Sequence, residues 1–202
     1  LLRSNVLEHV DLALAEGWVR PYYQPIVRAT TGRYCALEAL ARWHDPRFGD
    51  LMPYQFIPAL EDAGLLRRLD LYMVRCVAAD IADRKAHGLP VLPVSVNLSV
   101  RDLIGMSIAS DISAIVDSYG VARSLINVEF TESSAKRDPL LLSSQVVALH
   151  EAGFGVWMDD FGSGLSTLNS VKEFDFDLIK LEMGLASQGN RSKRVVIVDR
   201  VM

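Results

Sequence analysis

Residues 126–160 read INVEFTESSAKRDPLLLSSQVVALHEAGFGVWMDD, and their order decides the fold. Ile126-Asn127-Val128-Glu129-Phe130 is a short run rich in β-branched and apolar residues, which predicts a strand. A helical stretch follows near 139–152 and Gly153 ends it. Gly155-Val156-Trp157-Met158 then predicts a second strand, which leads into Asp159 and Asp160. Strand, helix, strand in that sequence is the crossover unit of a parallel sheet, with the helix packed outside.

The same alternation extends outward in both directions. Upstream lie a helix near 107–119, the strand Val94-Ser95-Val96-Asn97, and helices near 68–87 and 54–63. Before them, Tyr22-Tyr23-Gln24-Pro25-Ile26-Val27 and the run from Arg33 to about Arg42 form two strands across a turn at Thr31-Gly32. Leu2, Val6, Val10 and Leu14 recur every fourth residue and mark an amphipathic helix that Gly17 stops. Downstream, a short helix near 165–171 precedes the strand Phe176-Asp177-Leu178-Ile179-Lys180, and another helix is expected to begin at about residue 191. A doubly wound open sheet and a barrel share this signature. Six strands with a helix after the last read as an eight-stranded (β/α) barrel short by roughly two units, since such barrels typically need about 250 residues. Residues 1–20 are then a helix and linker leading into the barrel, and residues 21–202 the barrel itself.

Composition narrows the function. Half of the 202 residues are hydrophobic and 23% are charged, as in a globular domain. A net charge of −4 argues against binding a nucleic-acid polymer, which needs a broad basic footprint. No apolar run is long enough to span a bilayer, and the opening LLRSNVLEHV does not read as a signal peptide. Cys35 and Cys76 cannot build a disulfide framework or a zinc site, and His9, His44, His87 and His150 are scattered. A reducing, cytoplasmic compartment fits best, with room for a membrane tether elsewhere in a parent protein.

The chemistry is in the positions of the polar residues. Glu38 closes the run Tyr34-Cys35-Ala36-Leu37, Asn97 closes its strand, and Glu129, Asp159 with Asp160, and Lys180 follow apolar runs in theirs. In a parallel barrel these strand ends meet on one rim, where barrel active sites sit. Converging carboxylates repel unless cations neutralise them. Carboxylates with an amide are hard oxygen donors suited to Mg²⁺ or Mn²⁺. Adjacent aspartates can serve different ions, and two ions can cleave a phosphodiester. Each residue also has an ordinary explanation, as a cap, an ion-pair partner or a turn residue. Five coinciding strand ends outweigh those separate explanations.

Read together, these blocks resemble the EAL family of cyclic di-GMP phosphodiesterases. The tripeptide Glu38-Ala39-Leu40 stands within LEALARW, and around it are YYQPIV at 22–27, FIPALEDAGL at 56–65, NLS at 97–99, EFTES at 129–133, DDFGSG at 159–164 and DLIKLE at 177–182. The resemblance implies that Glu38, Asn97, Glu129 and Asp159 hold a first metal and that Asp160 helps hold a second. It implies that Lys180 orients the attacking water or the phosphate, and that Glu132 anchors the loop after Asp160. Gln24, Leu40 and Arg42 resemble ligand contacts, Arg42 reaching a phosphate, and Pro53 and Phe56 sit where the family packs a guanine. The implied reaction is in-line hydrolysis of cyclic di-GMP to linear pGpG with no covalent enzyme intermediate. A homodimer and an upstream diguanylate-cyclase-like (GGDEF) or sensory domain are the implied partners.

Two departures stand out. Glu182 takes the place of the family's usual Asp, and the family's EGVE-like and QGY-like blocks do not occur in residues 1–202. The latter leads to the expectation that the chain is part of a longer protein. The competing readings are a receptor that binds cyclic di-GMP without cleaving it and a scaffold that retains only the barrel.

Overall fold

The computed structural model describes residues 2–28, 31–99, 108–161, 174–181 and 196–199. Helix α1 (Leu2–Ala15) leads into β1 (Val19–Val27), β2 (Tyr34–Asp45) and β3 (Gly49–Leu51). Two helices follow, α2 (Pro53–Asp62) and α3 (Leu66–Ala86), then β4 (Val94–Asn97) and α4 (Ile108–Ser118). The chain continues through β5 (Ile126–Thr131), α5 (Glu132–Arg137), α6 (Pro139–Glu151), β6 (Gly155–Phe161), β7 (Leu178–Leu181) and β8 (Val196–Asp199).

Local chemistry sets these boundaries. Asp138 caps α6, its Oδ1 accepting the Leu141 backbone N–H at 3.0 Å, and Pro139 fills a first-turn position where no N–H is needed. Gly153, at φ +87°, makes the left-handed turn that carries α6 into β6. At the start of α2, Gln55 Oε1 accepts the Met52 N–H at 2.8 Å.

One sheet runs in the order β1-β2-β4-β5-β6-β7-β8, with β3 on the far part of β2. From β2 through β7 the pairing is parallel, as the crossover pattern predicts, and β1 is antiparallel to β2. The outer face carries Val94, Val96, Ile126, Val128, Phe130, Val156, Met158 and Ile179, packed with the helices into one large core. The opposite face holds a small second cluster of Ile26, Ala36, Trp157 and Leu178. Strand residues alternate between these faces, so the polar positions two residues beyond Ala36 and Leu178, namely Glu38 and Lys180, fall on the inner one. Helix α1 belongs to the same body, with Val6, Val10 and Ala13 in the main core. Asn5 Nδ2 donates to buried Asp45 Oδ2 at 2.9 Å, tying the helix to the end of β2. Among the described residues no helix is long and apolar enough to cross a membrane.

The structure corrects two expectations. Residues 196–199 form a strand antiparallel to β7, not part of a helix. The run Val195-Val196-Ile197-Val198 is β-branched throughout and favours the pleated conformation. Glu38 does not close its strand, because β2 runs on to Asp45 and the part beyond Ala39 pairs with β1 and β3 above the parallel rim. β3 itself and α5 were not anticipated. The helix expected near 165–171, Gly162 to Gly164 of the DDFGSG block, and Glu182 lie outside the described residues.

Candidate metal centre and adjoining cleft

Strand register brings the candidate residues together. Gln24 pairs with Glu38 across β1 and β2, and Asn97 pairs with Glu129 across β4 and β5. Asp159 pairs with Thr131 on β5, two residues beyond Glu129 and on the same face. Glu38, Glu129 and Asp159 therefore arrive from three different strands, and each offers a carboxylate oxygen within 4.8 Å of the other two. Lys180 enters the same space from β7. Its Nζ lies 2.6 Å from Glu129 Oε2, 2.9 Å from Glu38 Oε2 and 3.9 Å from Asp159 Oδ2. Asn97 Nδ2 donates to Glu38 Oε1 at 3.4 Å.

Asp160 stands apart from this group. The pairing of β6 with β7 slips between Met158 and Phe161, a bulge that places Asp160 at φ +56°, in the left-handed region. Its backbone N–H donates to Asp159 Oδ1 at 2.9 Å, while the residue itself is exposed beside the three inner acids. Aspartate tolerates this conformation better than most residues.

Burial dominates the electrostatics. The Glu129 carboxyl is pushed up to about 7, first by burial, with the Glu38 and Asp159 charges adding and Lys180 opposing. Asp159 is also raised, again by burial first; Lys180 opposes the shift, while Asp160 and Glu38 add to it. For Lys180, burial pulls downward, but Glu129, Glu38 and Asp159 overcome it and hold the ammonium above its ordinary value. One lysine against three acids leaves the group short of positive charge. Glu129 Oε1 is buried with no hydrogen-bond partner among the described residues, which buried carboxylate oxygens rarely tolerate. An all-oxygen donor set, an excess of negative charge and a buried orphan oxygen fit a divalent cation.

Beside the acids lies a cleft of about 560 Å³, within the usual size of small-molecule sites. Leu40, Asn97 and Pro53 line it, and Asn97 joins it to the acidic centre through its hydrogen bond to Glu38. Phe56 does not face it. That ring is fully buried against Trp43, at 5.6 Å between centroids, and its helix neighbour Ile57 lines the cleft instead. Gln24 and Arg42 share the face of Glu38 and Leu40 but sit outside the cleft, Arg42 with its guanidinium 5.9 Å from the Tyr22 ring centroid. Glu132 is buried at the first position of α5.

Sequence reasoning missed Asp70, whose buried carboxylate lines the cleft and accepts the Ser99 backbone N–H at 2.9 Å. The available signal was an acid flanked by Leu69 and Leu71 and one turn before Met73 and Val74, at a position in an amphipathic helix where burial is costly unless the acid has a polar task. It also missed the pair of Arg137 with Glu61, 3.2 Å apart on the cleft's lip.

The EAL domain family profile matches residues 7–202. The chain belongs to the EAL family. This EAL chain is 31% identical over 200 residues to an uncharacterized signaling protein of Caulobacter vibrioides, covering 99% of this chain and 24% of that protein. It is 32% identical over 160 residues to the cyclic di-GMP phosphodiesterase PA2567 of Pseudomonas aeruginosa, covering 79% of this chain and 27% of the relative. The chain thus spans about a quarter of the length of these curated relatives. Among solved structures, the PaMucR phosphodiesterase in complex with c-di-GMP superposes with a TM-score of 0.80 at 27% identity, covering 89% of this chain and 73% of the other. The fold is the α/β architecture of EAL structures, a mostly parallel sheet with outer helices.

Proposed function

We propose that this EAL domain hydrolyses cyclic di-GMP to linear pGpG with two divalent ions, Mg²⁺ or Mn²⁺. The observation that carries the reading is the meeting of Glu38, Glu129 and Asp159 from three strands, with oxygens within 4.8 Å of one another. Glu38, Asn97, Glu129 and Asp159 hold the first ion, and Asp160, turned outward by the bulge, helps hold the second. When bound, such ions polarise a phosphodiester and make water a competent nucleophile near neutral pH. Lys180 orients that water or the phosphate it attacks. Water adds its oxygen to phosphorus in line with the 3′-oxygen, whose bond to phosphorus breaks, and the proton given up by water balances the alkoxide that leaves. Leu40 and Pro53 contact the nucleotide in the cleft, Phe56 supports that wall from behind, and Gln24 and Arg42 meet the ligand above it, Arg42 through phosphate. Glu132 anchors the segment that follows Asp160.

In the same reading, residues 1–20 lead into a catalytic domain at 21–202. The enzyme is a cytoplasmic bacterial homodimer, with a GGDEF or sensory domain in the same polypeptide. Incubation with cyclic di-GMP and Mn²⁺, with pGpG followed by chromatography and binding measured in parallel, tests the proposal. Product should form, and Glu38→Ala should lower its rate by about 100-fold or more by removing an ion ligand. Full activity in that variant would overturn the metal assignment. Binding without product would make the protein a receptor.

A further inference from the structure

We infer that the Lys180 ammonium and a divalent ion are alternative occupants of the space between Glu38, Glu129 and Asp159, so that an ion enters only as Lys180 withdraws. This rests on the metal centre proposed above and goes beyond it. The Lys180 side chain is 2% exposed and makes its two short contacts to Glu38 and Glu129, from two different strands. Both Glu38 oxygens are engaged, Oε1 by Asn97 Nδ2 and Oε2 by Lys180 Nζ. Asp159 likewise has Oδ1 on the Asp160 N–H and turns Oδ2 toward the ammonium. The oxygens a cation would need from these two residues are therefore the ones already turned to Lys180. A divalent ion ligated by them at roughly 2.0–2.6 Å would lie against the ammonium, and two cations at that distance in a low-dielectric space repel strongly.

Lys180 then has a second task besides orienting a reactant. It is the counter-ion that lets three acids share a buried site before an ion arrives. Replacing one positive charge with two favours divalent over monovalent cations.

Mn²⁺ titration followed by the electron paramagnetic resonance of free Mn²⁺, on the unaltered protein and on Lys180→Met, tests this without reference to turnover. The variant should bind Mn²⁺ about tenfold tighter, as expected when a competing cation is removed. In EDTA it should unfold at a lower temperature than the unaltered protein, and Mn²⁺ should raise that temperature by more. Equal or weaker Mn²⁺ binding in the variant, with the unaltered protein still binding, would overturn this inference alone. Absence of Mn²⁺ binding in both would overturn the metal centre as well. A variant-free measurement covers the case in which Lys180→Met does not fold. With ¹³C-labelled lysine, the Lys180 ε-carbon resonance should shift along the Mg²⁺ saturation curve, and a resonance unmoved at saturation would overturn the inference.

Discussion

Glu129 shows most clearly what burial does to a single residue. Its carboxyl is raised from 4.5 to about 7, burial outweighing the attraction of Lys180. A raised acid is one whose charged form the fold disfavours. Its cost is therefore absent below about pH 4.5, grows as pH rises, and is fully present above about pH 7. Lys180 works in the opposite direction, since its raised value contributes stability that persists through neutral pH and is lost only in the alkaline range. In EDTA, Glu129→Gln should gain thermal stability relative to the unaltered protein as pH climbs from 4.5 to 7. A stability gap that stays flat across that range would contradict the assignment. At this scale the residue types and their strand positions were legible in the sequence. Which of them touch was not, and Ile57 rather than Phe56 faces the cleft because Phe56 is packed against Trp43.

Two predictions belong to whole elements. Helix α1 is held to the sheet by Asn5 on Asp45, and Asp45 Oδ1 also accepts the backbone N–H groups of Arg47 and Phe48 at 2.8 and 3.0 Å. Asp45→Ala leaves the buried Asn5 amide without this partner and frees the two turn N–H groups, and should cost about 1–3 kcal/mol in urea unfolding. No loss would mean that the helix docks through Val6 and Val10 alone. Between β5 and β6, a β-carbon on Gly155 would overlap Asn127 Oδ1. Gly155→Ala should therefore destabilise the protein by about 1–3 kcal/mol, and adding Asn127→Ala should recover part of the loss. Additive losses in the double variant would show that the strain lies elsewhere. The alternation of strands and helices was readable from periodicity, whereas β8 was misread as helix and β3 passed unnoticed, being too short to show a period.

For the molecule as a whole, ligands that bind only the folded state stabilise it by mass action. Mn²⁺ or a cyclic dinucleotide at 100 times its dissociation constant should add about 2.7 kcal/mol. A thermal shift with Mn²⁺ should vanish in Glu38→Ala, which keeps the outer core but loses one of three carboxylates. A shift of unchanged size would place the ion elsewhere. The cleft beside the centre draws on β2, β4, β5 and the helices α2, α3, α5 and α6, so no local stretch of sequence predicts its shape.

The sequence by itself determined the alternation of strands and helices and the residue types that gather at one rim. Periods of two and near four residues specify strands and helices one after another, and acids, an amide and a lysine following apolar runs mark a rim. Only the tertiary structure decided how those side chains divide their oxygens. Distances of 2.6 and 2.9 Å from one ammonium to carboxylates on different strands depend on sheet register, twist and the bulge at Asp160. Those are properties of strands packed against one another, and no single strand carries them in its order of residues.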